Sequence, residues 1–515
     1  MRVEREIRQE AQRLIVRHET KGRLLAEENV RRARRTTNPS EPLRLLRPPQ
    51  WSLHEGFDPY LTRARASRIA HSIRGRLASR QYEPRCPVLL PIPKDANEDR
   101  YVCVYQVADG AVSKMLFEGL LKKNLPIISA RAYAYRKDVS AQNAIQYVKS
   151  EFAGRKRLFV AEYDFRRYFD MIDHEHIRKT LKAHFLLTEV ERSAIEGFLR
   201  VAPRGQDNYA LASAEIRDRG VPQGTSISLF LANVAAWNLD RELEQCGVGF
   251  VRYADDTLMW SKDYGRICHA VDILQEQAAA IGVDINSAKS PGIRLLADAE
   301  AHVEMEGTDC IDYLGYRLGL SGATMKESAT SRIKKRISDL IYWNLIHEPA
   351  NSTQNPARLS RNVDRDYVTL IWRIRRFLYG DLSEKAVRRY QQGDAPLRRF
   401  RGIMSAYPLI DDLAHLDELD NWILDQLYLA VRKRSSLLRA QGLGPRLPSP
   451  HGHSRNALRN LEVVGSTSGQ TISLVVPSVQ RIARIIRSAT KQYGPSVVGK
   501  SDPYGRLPNA VYPLW

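Results

Sequence analysis

Cysteine is scarce in this sequence and never clustered. Five cysteines, Cys86, Cys103, Cys246, Cys268 and Cys310, are scattered through 515 residues. Their odd number and the lack of any CxxC pair argue against a disulfide framework or a structural zinc site. A reducing, cytoplasmic setting is the expectation. Long apolar runs are missing too: no stretch approaches the roughly 18 residues of a membrane-spanning helix. The first residues are charged and lack an apolar segment, so no secretory signal is expected. No internal repeat or low-complexity tract is visible. The last shortage is acidic charge, with 59 Asp+Glu against 79 Lys+Arg, a formal charge of +20. Apolar (43%) and charged (27%) fractions are otherwise those of a folded protein. Such a basic excess points to a polyanionic partner, nucleic acid above all.

The length suggests two to four domains. Residues 1–37 are helix-prone and charged, with Arg31, Arg32, Arg34 and Arg35 near their end. They read either as a solvated or oligomer-forming helix or as an RNA-contacting arm. Five prolines between 38 and 60 read as a linker. From about 60 to 325, short apolar runs alternate with helical patterns, so this region is mixed α/β. Beyond 326 the period becomes helical. Ile333, Ile337, Leu340, Ile341 and Leu345 form one apolar stripe, and Leu416, Leu419, Ile423, Leu427 and Val431 a second. Residues 440–456 read as a loop. A last helix is expected from Ser478, with Val479, Ile482, Ile485 and Ile486 on its apolar side and Arg481, Arg484, Arg487 and Lys491 on its basic side.

Chemistry concentrates in three segments. Phe250-Val-Arg-Tyr253-Ala-Asp255-Asp256-Thr-Leu-Met-Trp260 reads as a hairpin with two acids at its turn. Adjacent carboxylates repel, and burying them together costs energy unless cations neutralise them. Hard divalent cations such as Mg²⁺ favour such oxygen ligands. An Asp-Asp turn alone is also compatible with plain solvation. The second segment, Lys156 to Asp170, begins as an apolar strand that ends at Asp164. A third acid beside an acid-tipped hairpin is what a two-metal site requires, with cations about 4 Å apart clamping an in-line phosphoryl displacement. The third segment, Arg219-Gly-Val-Pro-Gln223-Gly224-Thr-Ser226, is a turn opening onto an apolar helix. It could hold a nucleotide against backbone or serve merely as a helix entry.

Taken in order, these segments resemble the palm of reverse transcriptases. Tyr163-Asp164 with Phe169-Asp170 resembles motif A, Arg219 to Gly224 resembles motif B, and Tyr253-Ala-Asp-Asp256 resembles motif C. Asn286-Ser-Ala-Lys289 and Tyr313-Leu-Gly315-Tyr-Arg-Leu resemble the lysine segment and the primer grip that follow. Ile92-Pro-Lys94 with Asp99-Arg100 resembles the fingers' triphosphate-binding basic pair, and Ser129 to Arg136 the segment before motif A. The resemblance covers about residues 85–320. It implies two Mg²⁺ ions, with Mn²⁺ as an alternative, on Asp164, Asp255 and Asp256. It implies that Lys94 and Arg100 hold the triphosphate, that Gln223 contacts the incoming nucleotide or the template and Gly224 the nucleotide, and that Arg136, Tyr313 and Gly315 contact nucleic acid. It also makes Phe169 a wall beneath the sugar that favours dNTPs, unless the ring is simply a core aromatic. Lys289 would protonate the pyrophosphate leaving group or stay a surface lysine.

The absence of a Cys/His cluster (His451-Gly-His453 is too little) and of a retron Val-Thr-Gly signature turns the resemblance toward bacterial defence-associated, abortive-infection-like "unknown group" reverse transcriptases. Phe400-Arg-Gly-Ile-Met-Ser-Ala-Tyr407, followed by Leu416 to Ile423, suits that branch. Ser226-Ile-Ser228, where intron enzymes commonly have a Ser-Pro pair, marks a departure. The expected architecture is α/β: right-hand polymerase fingers and palm, then a mostly helical thumb-like domain. The expected division is a basic helical arm over 1–45, fingers over 46–150, palm over 151–325, helical thumb over 326–440, and a C-terminal loop and basic helix over 441–515. Basic residues recur beside the apolar stripes at Lys334–Arg336, Arg432–Arg434 and Arg481–Lys491; each alone also reads as a solvated face, but together, with Arg481, Arg484 and Arg487 foremost, they are expected to grip RNA. The implied function is cDNA synthesis in antiphage defence. Expected partners are an RNA template, a structured non-coding RNA, dNTPs and the DNA product, without a membrane and with possible homo-oligomers. Untemplated or protein-primed synthesis on the same fold, or an RNA-binding scaffold with a vestigial site, are the alternatives.

Overall fold

The computed structural model describes residues 2–498 apart from 40, 96–97, 208, 210–215, 299–303, 360–361, 394–398, 445 and 465–470. The chain forms two compact units, one of residues 1–19 and 46–309, the other of residues 20–45 and 310–515.

In the first unit, β1 (Val88–Asp95) and β2 (Glu98–Val104) form an antiparallel hairpin. The main sheet contains β3 (Arg157–Arg166), β4 (Gly249–Tyr253), β5 (Asp256–Ser261), β6 (Asp284–Ile285), β7 (Gly292–Ala297) and β8 (Gly307–Thr308). Its order is β4-β5-β3-β7-β8, with β6 paired to the end of β3, and only β7–β8 is parallel. The apolar run Leu158 to Ala161 puts β3 at the centre, buried on both faces. On one face, Phe159, Ala161, Tyr163 and Phe165 share a core with Ile267, Leu274 and Ile281 of helix Tyr264–Ile281. On the other, Trp260 packs against Tyr147 and Phe152 of helix Ala141–Phe152, ring centroids 5.6 Å apart in both pairs. Helix Ser226–Ala235 is buried almost all round and packs between helices Val107–Asn124 and His174–His184.

The second unit opens with β9 (Ile311–Tyr313), β10 (Tyr316–Gly319) and β11 (Gly322–Met325), in the order β11-β10-β9. Helices Glu327–Ile341, Arg365–Tyr379, Ala414–Ala440 and Val479–Tyr493 follow. Every residue of the three expected apolar stripes is buried, and Ser478 caps the last helix by accepting from the Arg481 N–H. Helix Arg365–Tyr379 was not anticipated. Its stripe of Leu370, Ile371, Ile374 and Leu378 is interrupted by Arg373 and Arg375, which are themselves buried beside Glu28 and Glu384.

The two units break the chain at 19/20, 45/46 and 309/310, so the expected boundary at 45 falls on one of these breaks, whereas 325 and 440 fall inside the second unit. The strands β9–β11 belong with the helices, because Ala323 and Asp411 exchange hydrogen bonds (3.0 and 2.8 Å) and Tyr316 Oη donates to the Ala406 carbonyl (3.1 Å). The C-terminal segment joins them through Tyr379 Oη, which donates to the Ser478 carbonyl and accepts from its N–H. The end of the N-terminal helix Arg2–Arg35 joins through Glu28, 2.5 Å from Arg373. At the unit's centre Arg434, 1% exposed, meets Asp364 at 2.6 Å and Asp366 at 2.9 Å.

Candidate active site

The register of the main sheet assembles the acids. Asp164 on β3 pairs directly with Asp256, the first residue of β5. Tyr253 pairs with Asp256 across the hairpin, so Ala254 and Asp255 form its two-residue turn. Of these two only Ala254 has positive φ, at 63°. An alanine there costs conformational energy that a glycine would not, and such strain persists only where surroundings impose it.

Arg252 supplies that imposition. It is fully buried, forks both ways onto Asp240 (2.6 Å twice), and donates from Nη1 to the Ala254 carbonyl at 2.9 Å. Its backbone exchanges hydrogen bonds with the Arg131 carbonyl and the Tyr133 N–H, tying the hairpin to the preceding loop. In the sequence Arg252 reads only as a strand residue. A basic residue among apolar neighbours two positions before the turn, with Asp240 on the upstream helix, was the available signal.

Around Asp164, Lys289 Nζ and Asn286 Nδ2 each lie 3.2 Å from Oδ2. The Asn286 N–H donates to the Asp164 carbonyl (2.8 Å) and the Asp164 N–H to Ser290 Oγ (3.2 Å). Lys289 therefore sits on the acid it follows in sequence. Burial holds the Asp255 carboxyl above the usual carboxylate range; the Asp164 charge adds to this, and Lys289 and Arg100 oppose it. Among the described residues no three acidic, His or Cys side chains converge closely enough to enclose an ion as they stand. The chemistry of the set nonetheless fits Mg²⁺. It offers carboxylate oxygens only, on paired strands, with one acid disfavoured in its charged form by the next and a counter-charge already drawn to Asp164.

The nucleotide-side residues form a second group. Arg100 Nε donates to Gln223 Oε1 (2.9 Å), and Gln223 Nε2 lies 3.4 Å from Asp170 Oδ1. Arg100 is exposed on β2 opposite Ile92; the Lys94 side chain lies outside the described residues. Gly224 has φ +108°, and a Cβ there would stand 2.5 Å from Val102 Cγ1 and 2.7 Å from the Cys103 carbonyl. Close approach to β2 thus demands the glycine. The Cys103 N–H donates to the Gln223 carbonyl, and the Val221 N–H to that of Phe169, so the loop is stitched to β2 and to the turn after β3.

Phe169 is 8% exposed, with Tyr135 edge-on at 6.2 Å and Tyr168 at 5.9 Å. It borders the core and the site at once. Tyr135, with φ 63°, was not singled out from the sequence. Burial, and next the Asp255 charge, push its hydroxyl up to about 12, which puts this ring in the field of the acids.

Arg136, Tyr313, Arg481 and Arg487 are placed otherwise than expected. Arg136 is spent inside the chain: it donates to the Ser129 and Ala132 carbonyls (2.7 and 3.2 Å) and forks onto Asp138. Its job is to staple a loop, and no free guanidinium is left for nucleic acid. Tyr313 is 1% exposed in the core of the second unit, so its ring is a packing residue. Gly315 forms the β9–β10 turn at φ 85° and accepts from the Lys326 N–H. Arg481 lies 2.6 Å from buried Glu384 and Arg487 3.2 Å from Asp411, whereas Arg484 is exposed. Of these three arginines only Arg484 presents its charge outward.

With this geometry in place, residues 92–318 match the family described as reverse transcriptase (RNA-dependent DNA polymerase). The chain therefore carries a reverse transcriptase domain, the domain of RNA-directed DNA polymerases, followed by a helical C-terminal region. No curated protein matches the sequence. Among solved structures it is similar to telomerase from Candida albicans in complex with a TWJ fragment of telomeric RNA, at 12% identity and TM-score 0.36, over 72% of this chain and 65% of that one. Telomerase from Candida tropicalis in the corresponding complex is similar at 11% identity and TM-score 0.40, over 72% and 59%. The chain thus spans less than two thirds of either telomerase. No helix among the described residues is long and apolar enough to cross a membrane.

Proposed function

We propose that this chain synthesises DNA on an RNA template by two-metal nucleotidyl transfer at Asp164, Asp255 and Asp256. The observation that carries this reading is the β3–β5 register, which sets Asp164 opposite Asp256 with Asp255 adjacent at the hairpin turn. Two Mg²⁺ ions, when bound, would supply the charge that stabilises the attacking primer oxygen and the leaving pyrophosphate. The three carboxylates hold them. Lys289 balances the Asp164 charge, and its ammonium is a proton source next to the leaving group. Arg100 donates charge-assisted hydrogen bonds to the triphosphate, with Gln223 fixing its side chain. The Phe169 ring, backed by Tyr135, lies under the sugar and disfavours a 2′-OH. Attack of the primer 3′-OH forms one P–O bond at the α-phosphorus and breaks another; the hydroxyl proton passes to solvent water, and pyrophosphate leaves with the proton from Lys289.

The wider setting belongs to the same proposal: a bacterial antiphage role with a structured non-coding RNA, in the cytoplasm. The +20 charge supports the RNA partner, and the resemblance to defence-associated enzymes supports the role. Ser226-Ile-Ser228 favours a second reading, untemplated or protein-primed synthesis. The test is incorporation of dNTPs with Mg²⁺ on a primed RNA of defined sequence, followed by sequencing of the product. A complementary product supports templated synthesis. A product unrelated to the template, or attached to protein, selects the second reading. No incorporation under either regime removes both.

A further inference from the structure

Within the second unit, the last turn of helix Arg2–Arg35 faces helix Arg365–Tyr379 across a cavity of about 130 Å³. Its lining is Arg31, Arg34, Arg35, Arg358, Arg373 and Thr369. Five guanidiniums around one small space is an arrangement that packing alone disfavours, since like charges in partial burial repel. Among the described residues two carboxylates answer them. Glu28, 0% exposed, lies 2.5 Å from Arg373, 3.3 Å from Arg31 and 4.0 Å from Arg35. Asp366 lies 2.9 Å from Arg358, but the same carboxylate also serves Arg434. Arg34 makes no ion pair among the described residues and stands exposed at the rim.

Two of the cations, Arg31 and Arg35, are also under-satisfied as donors. Arg31 Nη2 and Arg35 Nε are buried without a hydrogen-bond partner, although the Arg35 side chain is only 5% exposed. Arg35 Nη1 already serves the Trp343 carbonyl and Asn344 Oδ1, which fixes the guanidinium in place. Burial first, and then the charges of Arg35 and Arg31, lower the Arg373 guanidinium to about 10 against the pull of Glu28. An anion in the cavity would give Arg31 Nη2 and Arg35 Nε an acceptor and offset the positive charge around Arg373.

We propose that this cavity binds a terminal phosphate or pyrophosphate group, either free or at the end of a nucleic-acid strand. The size supports the class. At about 30 Å³ per water the space holds roughly four waters, the scale of one or two phosphoryl groups and less than a nucleoside. Planar guanidiniums match phosphate oxygens two at a time. Depth supports the terminal position. A phosphodiester within a strand is substituted on both sides and rests on surfaces, whereas a chain end can reach side chains as covered as Arg35 and Arg373. This site is separate from the polymerase carboxylates and its existence does not depend on their function.

The test uses the full chain in EDTA, so that metal-dependent binding at Asp164, Asp255 and Asp256 does not contribute. Inorganic pyrophosphate is titrated at constant ionic strength, with binding read by calorimetry and by thermal shift. A second arm compares one RNA oligonucleotide carrying a 5′-triphosphate or a 5′-hydroxyl. The parent is expected to bind pyrophosphate saturably, and Arg31→Gln with Arg34→Gln to weaken it at least tenfold while the unliganded melting temperature holds. If that double variant melts early, Arg34→Gln alone, at the exposed rim, replaces it. A 5′-triphosphate preference that the variant loses identifies a strand end as the ligand; pyrophosphate binding without that preference identifies the free anion. No saturable response to either probe, or one that the variants retain in full, overturns the proposal.

Discussion

At the residue scale, a few side chains bear the weight of the site. Asp256 stands opposite Asp164 across paired strands. Asp256→Asn keeps its size and removes its charge. Incorporation is expected to fall by more than about 10²-fold, the scale of losing one charge-stabilising group in a transition state, while the circular dichroism spectrum and melting temperature hold. Incorporation within a few-fold of the parent would remove Asp256 from the metal site. Under the proposed function Phe169 would have two duties, since its ring is 8% exposed in the core and stands against Tyr135. Phe169→Ala is expected to raise rNTP use relative to dNTP use and also to cost about 3–5 kcal/mol in stability, as large-to-small changes at buried aromatics do. Destabilisation with an unchanged dNTP/rNTP ratio would make it a packing residue only. The sequence left those two roles open; near-complete burial supplies the packing role, and the dNTP/rNTP ratio decides the other.

At the element scale, the hairpin and the last helix are held by single buried groups from elsewhere in the chain. Arg252 joins Asp240 to the strained Ala254 carbonyl. Arg252→Met strands Asp240 as a buried charge, so chemical denaturation should show a loss of about 3–5 kcal/mol. Adding Asp240→Leu should recover most of it, and a double variant no more stable than the single one would show that the pair does more than neutralise itself. In the second unit, Asp420 on helix Ala414–Ala440 accepts from Ser478 Oγ, the Val479 N–H and the Gln480 N–H at the start of the last helix. Burial outweighs these donors and pushes its carboxyl up to about 6. The folded state then holds this proton more tightly than the unfolded one. Its contribution to stability declines as pH rises from about 4 to about 6 and is flat above. Asp420→Asn should remove that portion of the pH dependence, seen as a parent-minus-variant difference in melting temperature that changes across this window. A constant difference from pH 4 to 8 would contradict the shift.

At the scale of the whole molecule, net charge matters less than where it is free. Many arginines of this +20 chain neutralise buried acids: Arg434 on Asp364, Arg481 on Glu384, Arg373 on Glu28. Replacing Arg481, Arg484 and Arg487 together by glutamate would therefore replace the Arg481–Glu384 ion pair with two facing carboxylates and damage the fold before it tested RNA binding. Arg484 is the clean probe. Arg484→Gln should weaken RNA binding at low salt and make the slope of log K against log salt shallower by about 1, one phosphate contact. Affinity and slope equal to the parent's would leave this helix a packing element alone.

Much of this protein was legible without coordinates, for a physical reason. Acids that must stand together on one sheet need fixed local frames, so Asp164 near a strand end and Asp255-Asp256 at a hairpin turn carry their signals in short windows. The apolar stripes after 326 do the same for helices, because burial repeats about every 3.6 residues. What tertiary structure alone decided is which charged residues are spent. Arg136, Arg252 and Arg481 look like any surface cation in sequence, and each is consumed by a partner between 2 and about 100 positions away. The same holds for the five arginines around the small cavity, drawn from three separate segments of the chain. A buried charge must be matched by whatever lies next to it in space, and adjacency in space is what a linear sequence does not state.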